Sequence, residues 1–327
     1  MILIIGDAHI KATNLELGRQ FLDWQIALVD KHKPEMVVNL GDFFDGHSIL
    51  RAEILAEYRR FVDSITARGI DYWHVLGNHE MFKPNDASYH ALQSMKGLNP
   101  KFHVVDYIEE FGDYTFVPYC VKTESFPLQT TSIVFAHQTF TGADFGHGFR
   151  PDNGIDADTI SADLIISGHI HGRQTVGKVI YPGSPLSNSA DDVDQVKGVH
   201  LLDPKTFKLT FIESPFPKWR SYTGPGDLHS INSLAQFIDK DPNVKWIFNV
   251  AGPRAEITAI LDSKEFKALK ERTIIRVRAQ YTDIEGAKVK IQALSAENAI
   301  DQYIDCIYDG AIDKTLLKEQ AKKLMKK

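Results

Sequence analysis

An α/β fold is what this sequence predicts: two β-sheets stacked as a sandwich and flanked by helices, then a small α/β capping unit and C-terminal helices. Three observations predict it. Apolar strand-like runs alternate with amphipathic helical stretches from residue 1 to about 213, the pattern of layered α/β folds. A proline-containing segment, Ser214-Pro215-Phe216-Pro217, then breaks that pattern. A shorter series of strands around one helix follows, and two amphipathic stretches close the chain. The expected division is therefore 1–213, 214–293 and 294–327.

Taken in order, residues 1–5, 36–40, 72–76, 132–135 and 164–166 are short apolar runs suited to buried strands. Between the first three, Leu15, Leu22, Ile26 and Val29 repeat at helical spacing, as do Ile54, Tyr58, Phe61, Val62 and Ile65, so helices should pack on the sheet. From about Asp106 the strands shorten (114–117, 179–181, 199–202, 209–212), which predicts a second sheet. After Pro217 come a strand at 246–250, a helix at about 254–272, a strand at 273–279, a turn at 283–286 and a strand at 287–292. Ala296, Ile300, Tyr303, Ile304 and Ile307 form one terminal helical stripe, and Leu317, Ala321 and Leu324 another, parted by Asp309-Gly310.

Bulk properties exclude several classes. No apolar run approaches the ~18 residues that span a bilayer, and the opening MILIIGDAHI lacks the basic region of a signal peptide. Cys120 and Cys306 lie far apart with no CxxC spacing, so no disulfide framework or thiolate zinc site is expected, and the cytoplasm is the default compartment. A net charge of −6 argues against a uniformly cationic surface, so any nucleic-acid contact must be local.

Chemistry concentrates where strand-like runs end. Five motifs stand there: Gly6-Asp7-Ala8-His9, Gly41-Asp42-Phe43-Phe44-Asp45, Gly77-Asn78-His79-Glu80, Ala136-His137 and Gly168-His169-Ile170-His171. Loops beyond the carboxyl ends of strands are where α/β folds gather ligands, because the sheet fixes the side chains and the loop leaves them accessible. In Asp7-x-His9 and His169-x-His171 the paired residues project to one side of an extended segment, so each pair can approach one cluster together. Carboxylate, amide and imidazole donors without thiolate suit Mn²⁺, Fe²⁺ or Zn²⁺. So many donors would underuse one ion. Two ions need a bridge, and the short carboxylate of Asp42 is the natural one. Singly, a histidine after a strand is more often an ordinary polar residue and an aspartate before a turn is usually turn chemistry; it is the five together that point to a metal centre. His32, His74, His90, His103, His147, His200 and His229 receive no role.

These residues resemble the calcineurin-like metallophosphoesterase superfamily, whose signature runs D-x-H, G-D-x-x-D, G-N-H-[DE], H and G-H-x-H; every element is present within residues 1–190. The resemblance implies that Asp7, His9, Asp42 and His171 hold one metal and that Asp42, Asn78, His137 and His169 hold the other. It also implies a catalytic, non-ligating His79 that donates to the leaving oxygen, its ring oriented by Glu80 or a neighbour. Two ions ~3.5–4 Å apart activate water and clamp phosphate oxygens during in-line displacement.

Within that superfamily the chain is similar to the SbcD-type nucleases, a DNA-repair branch. Tyr181-Pro182-Gly183-Ser184-Pro185 and Lys197-Gly198-Val199-His200 follow the last ligand motif as they do there. The implied protein is a Mn²⁺-dependent DNA nuclease subunit. Residues 1–213 would carry the nuclease site, 214–293 a capping and DNA-binding domain, and 294–327 helices that dock an SMC-like ATPase or a second copy of the chain. Asp45 stands where many members carry a histidine to which exonuclease action is sensitive, and His47 lies close by but out of register. Protein phosphatases share GNHE, yet require Arg after the second Asp, where this chain has Gly46; the D-x-H-G form is also absent, since Ile10 follows His9. If 273–279 and 287–292 pair as a hairpin, Arg276, Arg278, Lys288 and Lys290 share one face, either a solvated surface or a DNA contact. Two other readings compete: a stand-alone phosphodiesterase or phosphatase, and a silent scaffold, the latter disfavoured because no ligand is missing.

Overall fold

A computed structural model describes residues 1–282 except 48, 49, 84, 85, 147, 152 and 242, together with 314, 315 and 318; at 86 and 87 it describes the backbone alone. Met1–Gln280 forms one compact unit and Tyr281–Lys327 a second. The turn at 283–286, the strand at 287–292 with Lys288 and Lys290, and both terminal helical stripes lie outside the described residues.

In chain order the elements are β1 (Ile2–Ile5), α1 (Leu15–His32), β2 (Met36–Asn39), α2 (Ala52–Thr66), β3 (Asp71–Val75), the hairpin β4 (Met81–Lys83) and β5 (Asp86–His90), β6 (Phe102–Val105), β7 (Glu109–Phe111) and β8 (Tyr114–Val117). They continue with β9 (Ile133–His137), β10 (Leu164–Gly168), β11 (Gln174–Val176), β12 (Val179–Tyr181), β13 (Gly198–Asp203) and β14 (Lys208–Glu213). Last come β15 (Trp219–Pro225), α3 (Leu228–Lys240), β16 (Lys245–Gly252), α4 (Arg254–Asp262), α5 (Lys264–Arg272) and β17 (Ile275–Tyr281). Strands order as β14-β13-β1-β2-β3-β6 in the first sheet, β11-β12-β10-β9-β8-β7 in the second and β15-β16-β17 in the third.

The alternation of side chains along a strand explains why β1 to β3 read as unbroken apolar runs. Ile2 and Ile4 join Val38, Trp73 and Val75 in a layer shared with Phe116, Phe135 and Ile166 of the second sheet. Leu3 and Ile5 turn the other way, to Phe21 and Leu22 of α1 and to Phe61 and Ile65 of α2. With both faces covered, neither can be polar. Trp73 and Phe116 stack across the two sheets at 4.1 Å between ring centroids. No helix of the described residues is long and apolar enough to cross a membrane.

Three expectations change in detail. β13 and β14, expected in the second sheet, extend the first, β13 pairing antiparallel with β1 through Ile2 and Leu202. Periodicity identifies a strand but carries no information about its neighbour. Among the described residues, α1 and α2 cover only the first sheet; the outer face of the second is closed by loop residues including Phe126, Phe140 and Ile155. The helix expected over 254–272 is two, because the Ser263 hydroxyl accepts from the Phe266 amide and starts α5 afresh. The sequence pattern does not predict β15 and α3, although Asp227 caps α3 by accepting from Ser230 N–H at 2.8 Å and Ile231, Leu234 and Ile238 bury one stripe.

His200, on β13, is 5% exposed and its ring lies 5.1 Å from that of Phe211. Burial, helped by the nearby charge of Arg173, lowers its pKa to about 4. The unfolded chain takes up this proton below about 6.5, while the folded chain resists until about 4. Its stabilising contribution is therefore present above about pH 6.5 and is lost between there and 4, amounting to about 2 kcal/mol by pH 5. His200→Leu is expected to narrow the difference in melting temperature between pH 8 and pH 5; an unaltered difference would acquit this ring.

Candidate metal centre and active site

Because β1, β2 and β3 run parallel, their carboxyl ends share one edge of the first sheet, and β9 and β10 likewise share one edge of the second. All five motifs emerge there. The turns are tight: His9, Asp42 and His169 hold φ of 47°, 50° and 86°, a left-handed backbone that costs a non-glycine residue about 1–3 kcal/mol. Such strain persists where the surroundings over-determine it. At Gly41, φ is 97°, and a Cβ added at Gly77 would fall 2.2 Å from Asp42 Oδ1, so neither position accommodates a side chain without movement.

Among the described residues, potential ligand atoms gather into three groups, the atoms of each within 4.8 Å of one another: Asp7, His9 and His171; Asp42, His137 and His169; and His9, Asp42 and His79. Asn78 joins the second, its Oδ1 3.0 Å from His169 Nδ1 and 3.3 Å from His137 Nε2. Asp42 Oδ2 stands between the groups, 3.8 Å from His9 Nε2 and 3.3 Å from His137 Nε2. All seven expected ligands and His79 are thus brought together from residues 7–171.

The donors fit cations. His137 Nδ1 meets the Leu40 carbonyl at 2.7 Å, so that nitrogen carries the hydrogen and Nε2, within 3.3 Å of Asp42, Asn78 and His169, is the atom left to hold either a proton or a cation. Asp7 Oδ1 accepts the His169 amide at 2.7 Å, while Asp7 Oδ2 is buried without a hydrogen-bond partner. His9 Nε2 and His171 Nε2 face each other at 2.9 Å. Lone pairs crowded together in a buried site call for positive charge, from protons or from metal. Consistently, burial lowers His9 to about 4 and, with the charge of His137, lowers His169 to about 4. His137 goes the other way: burial opposes its proton, but Asp42 and Asp7 raise it to about 9. Asp42, despite burial, is held far below the usual carboxylate range by His137 and His9.

Glu80 does not touch the His79 ring. It is fully buried, and its oxygens accept from the backbone amides of Asp42 at 2.8 Å, Phe43 at 2.7 Å, Phe44 at 3.2 Å and Gly77 at 2.9 Å. Burial alone would raise its pKa, but His74 beside it keeps it below the usual range. The His79 ring is anchored instead by Nδ1 on the Asp45 carbonyl at 2.8 Å, and its side chain is 28% exposed where those of Asp7, His9, Asp42 and His137 are 0–5%. His47, out of register in the sequence, stacks on His79 at 4.2 Å and meets the Asn78 carbonyl through Nδ1 at 2.9 Å. Tyr119, which no sequence motif marks, places its ring 5.7 Å from that of His169.

The two motifs downstream of His171 brace its loop. Buried Lys197 donates to the His171 carbonyl at 3.0 Å, to Ser184 Oγ at 2.8 Å and to Asp192 Oδ1 at 2.6 Å. Burial lowers the Lys197 pKa even with Asp192 alongside.

A sandwich of this kind, with carboxylate, amide and imidazole donors converging where its parallel strands end, defines a metal-dependent phosphoesterase. The chain belongs to the calcineurin-like phosphoesterase family, whose model matches residues 1–173, and it is a hydrolase of phosphoester bonds. It is 28% identical over 236 residues to putative phosphoesterase 078R of invertebrate iridescent virus 3, across 66% of this chain and 67% of that protein. Its identity to exonuclease subunit 1 of enterobacteria phage T4 is 20% over 334 residues, covering 94% of this chain and 93% of the relative. With the SbcD component of the SbcCD nuclease of Escherichia coli K12 it shares 25% identity over 272 residues, 65% of this chain and 67% of that one.

Proposed function

We propose that the chain is a Mn²⁺-dependent DNA exonuclease and endonuclease subunit that acts in the cytoplasm with an SMC-like ATPase, in double-strand break repair, recombination or replication. The convergence of seven donors, Asn78 among them, into adjoining groups linked through His9 and Asp42 carries the reading. A nucleic-acid substrate is favoured by the relatives named as exonuclease and nuclease subunits, one of them aligned along 94% of this chain. In this reading residues 1–213 are the nuclease domain, 214–293 cap it and contact DNA, and 294–327 dock the ATPase or a second copy of the chain. Arg276 and Arg278 are exposed on β17, although Arg276 already lies over the Trp219 ring at 4.9 Å and Arg278 stands 3.9 Å from Asp191.

Asp7, His9, Asp42 and His171 would hold one cation, and Asp42, Asn78, His137 and His169 the other. When bound, such a pair supplies charge compensation at the phosphoryl group and a nucleophile from water near neutral pH. The chain's own residues orient the reaction. Glu80 fixes the loop carrying Asp42, and His79, pinned through Nδ1, turns Nε2 toward the cleft to donate to the departing oxygen. His79→Asn is expected to lower turnover about 10²-fold with full metal content by elemental analysis; a metal-depleted variant would make His79 a ligand instead.

A stand-alone phosphoesterase is the second reading, favoured by the 28% identical viral relative named only as a phosphoesterase. Assaying the Mn²⁺-loaded protein on plasmid and hairpin DNA against a chromogenic phosphodiester separates the two. DNA scission at rates well above the small ester supports the nuclease; hydrolysis of the small ester alone rejects it.

A further inference from the structure

Beside the ligand cluster, two large aromatic rings are left facing water. Phe145 is 44% exposed and Phe149 65%. Phe21, Phe61, Phe116, Phe135 and Phe140 are fully buried, and although Phe82, Phe111 and Phe207 are also exposed, Phe145 is the one of these exposed rings that lines the cleft of the ligand cluster. The backbone that carries them is held in place. Asp144 N–H donates to Gln174 Oε1 at 2.8 Å, Gln174 Nε2 returns a bond to the Asp144 carbonyl at 2.7 Å, and Phe145 N–H donates to the Phe149 carbonyl at 2.9 Å. Gln174 opens β11 just after the His169–His171 motif, so the exposed pair is tied directly to the segment that supplies two expected ligands.

Phe145 also borders the site, with Phe149 beside it. Phe145 lines the same open cleft, about 1110 Å³, as His9, His79, His169 and His171. Its ring centroid lies 5.7 Å from that of His169 and 6.2 Å from that of Phe149. Lys11, Arg150 and Arg173 line the cleft too, but so do Asp45, Asp144 and Asp191. Away from the cation pair the side-chain charge of the wall is mixed and grips little of the flanking phosphate backbone, which leaves recognition beyond the scissile group to the ring faces. An aromatic face takes up a nucleobase by stacking only once that base has left its duplex stack.

We propose that Phe145 and Phe149 form a base-stacking platform at the rim of the catalytic cleft, so that the strand presented for hydrolysis is an unpaired one. This rests on the nucleic-acid reading above and names the form of nucleic acid the site takes. The platform discriminates for the presence of bases and not for their identity, because every base has a stacking face.

The test is fluorescence anisotropy on the Mn²⁺-loaded full chain with two labelled probes, an oligothymidylate and an abasic chain of the same length and charge, both joined by phosphorothioate linkages that resist turnover. The wild type is expected to bind the thymidylate about tenfold tighter than the abasic chain, and the double variant Phe145→Leu, Phe149→Leu to bind both alike. Tryptophan emission in Phe145→Trp should be quenched by the thymidylate and not by the abasic chain. A wild type indifferent to bases, or a leucine variant that still discriminates fully, overturns the platform. Failure of the nuclease reading is seen separately: base-dependent binding without plasmid cleavage leaves the platform standing, whereas plasmid cleavage without base dependence removes the platform and keeps the nuclease.

Discussion

Asp42→Asn is expected to abolish phosphodiester hydrolysis, by about 10⁴-fold or more, which corresponds to roughly 5–6 kcal/mol of lost transition-state stabilisation. The amide keeps the shape of the side chain and can still accept the His79 amide hydrogen that Asp42 Oδ1 now receives at 2.8 Å. Folding should therefore survive. What disappears is the negative charge standing between His9 and His137, and one amide cannot offer two anionic oxygens to a pair of cations. Elemental analysis should find metal content reduced together with activity, and melting temperature close to wild type. A variant that keeps both metals and more than about a tenth of its turnover would remove Asp42 from the bridging position.

Glu80→Ala has the largest expected effect on stability. Four backbone amides, those of Asp42, Phe43, Phe44 and Gly77, lose their acceptor in a place water does not reach. Each buried donor left unpaired costs about 1–3 kcal/mol, and partial relaxation of the loop brings the total to roughly 4 kcal/mol, on the order of 10 °C in melting temperature. Glu80→Gln, which keeps one acceptor oxygen, should recover part of that. Metal affinity should fall in the same order, since the loop being held carries Asp42. A Glu80→Ala protein that melts like wild type would show that these amides find other partners.

The contrast between Asp42 and Glu80 explains how far the sequence can be read. A ligand at a strand end announces itself, because an apolar run that stops at Gly-Asp or Gly-Asn-His has few structural reasons to do so. All eight expected site residues, from Asp7 to His171, come together for that reason. Glu80 stands in a motif of the same kind, but three of its four partners are main-chain amides of another loop, and nothing in residue spacing reveals those backbone contacts. Register counts against His47, yet register matters along a strand and not in a loop that folds back so that its ring covers His79. The same limit applies to the fold. The apolar runs mark β1, β2, β3, β9 and β10, since strands buried on both faces leave little ambiguity, whereas β13 and β14 are drawn into the wrong sheet because alternation says nothing of strand order. α3 escapes notice although Asp227 and Ser230 stand at capping distance; the prolines before β15 suggest a boundary and mask it.

The antiparallel pairing of β1 with β13 has a bearing on how the molecule matures during synthesis. Residues 2–4 find one neighbour in β2 within the first forty residues, but the other only when residues 200–202 have left the ribosome. Closing so long a loop is slow rather than prohibitively costly. A nascent chain therefore carries Asp7 and His9 just beyond a strand with one open edge until β13 emerges to pair with it.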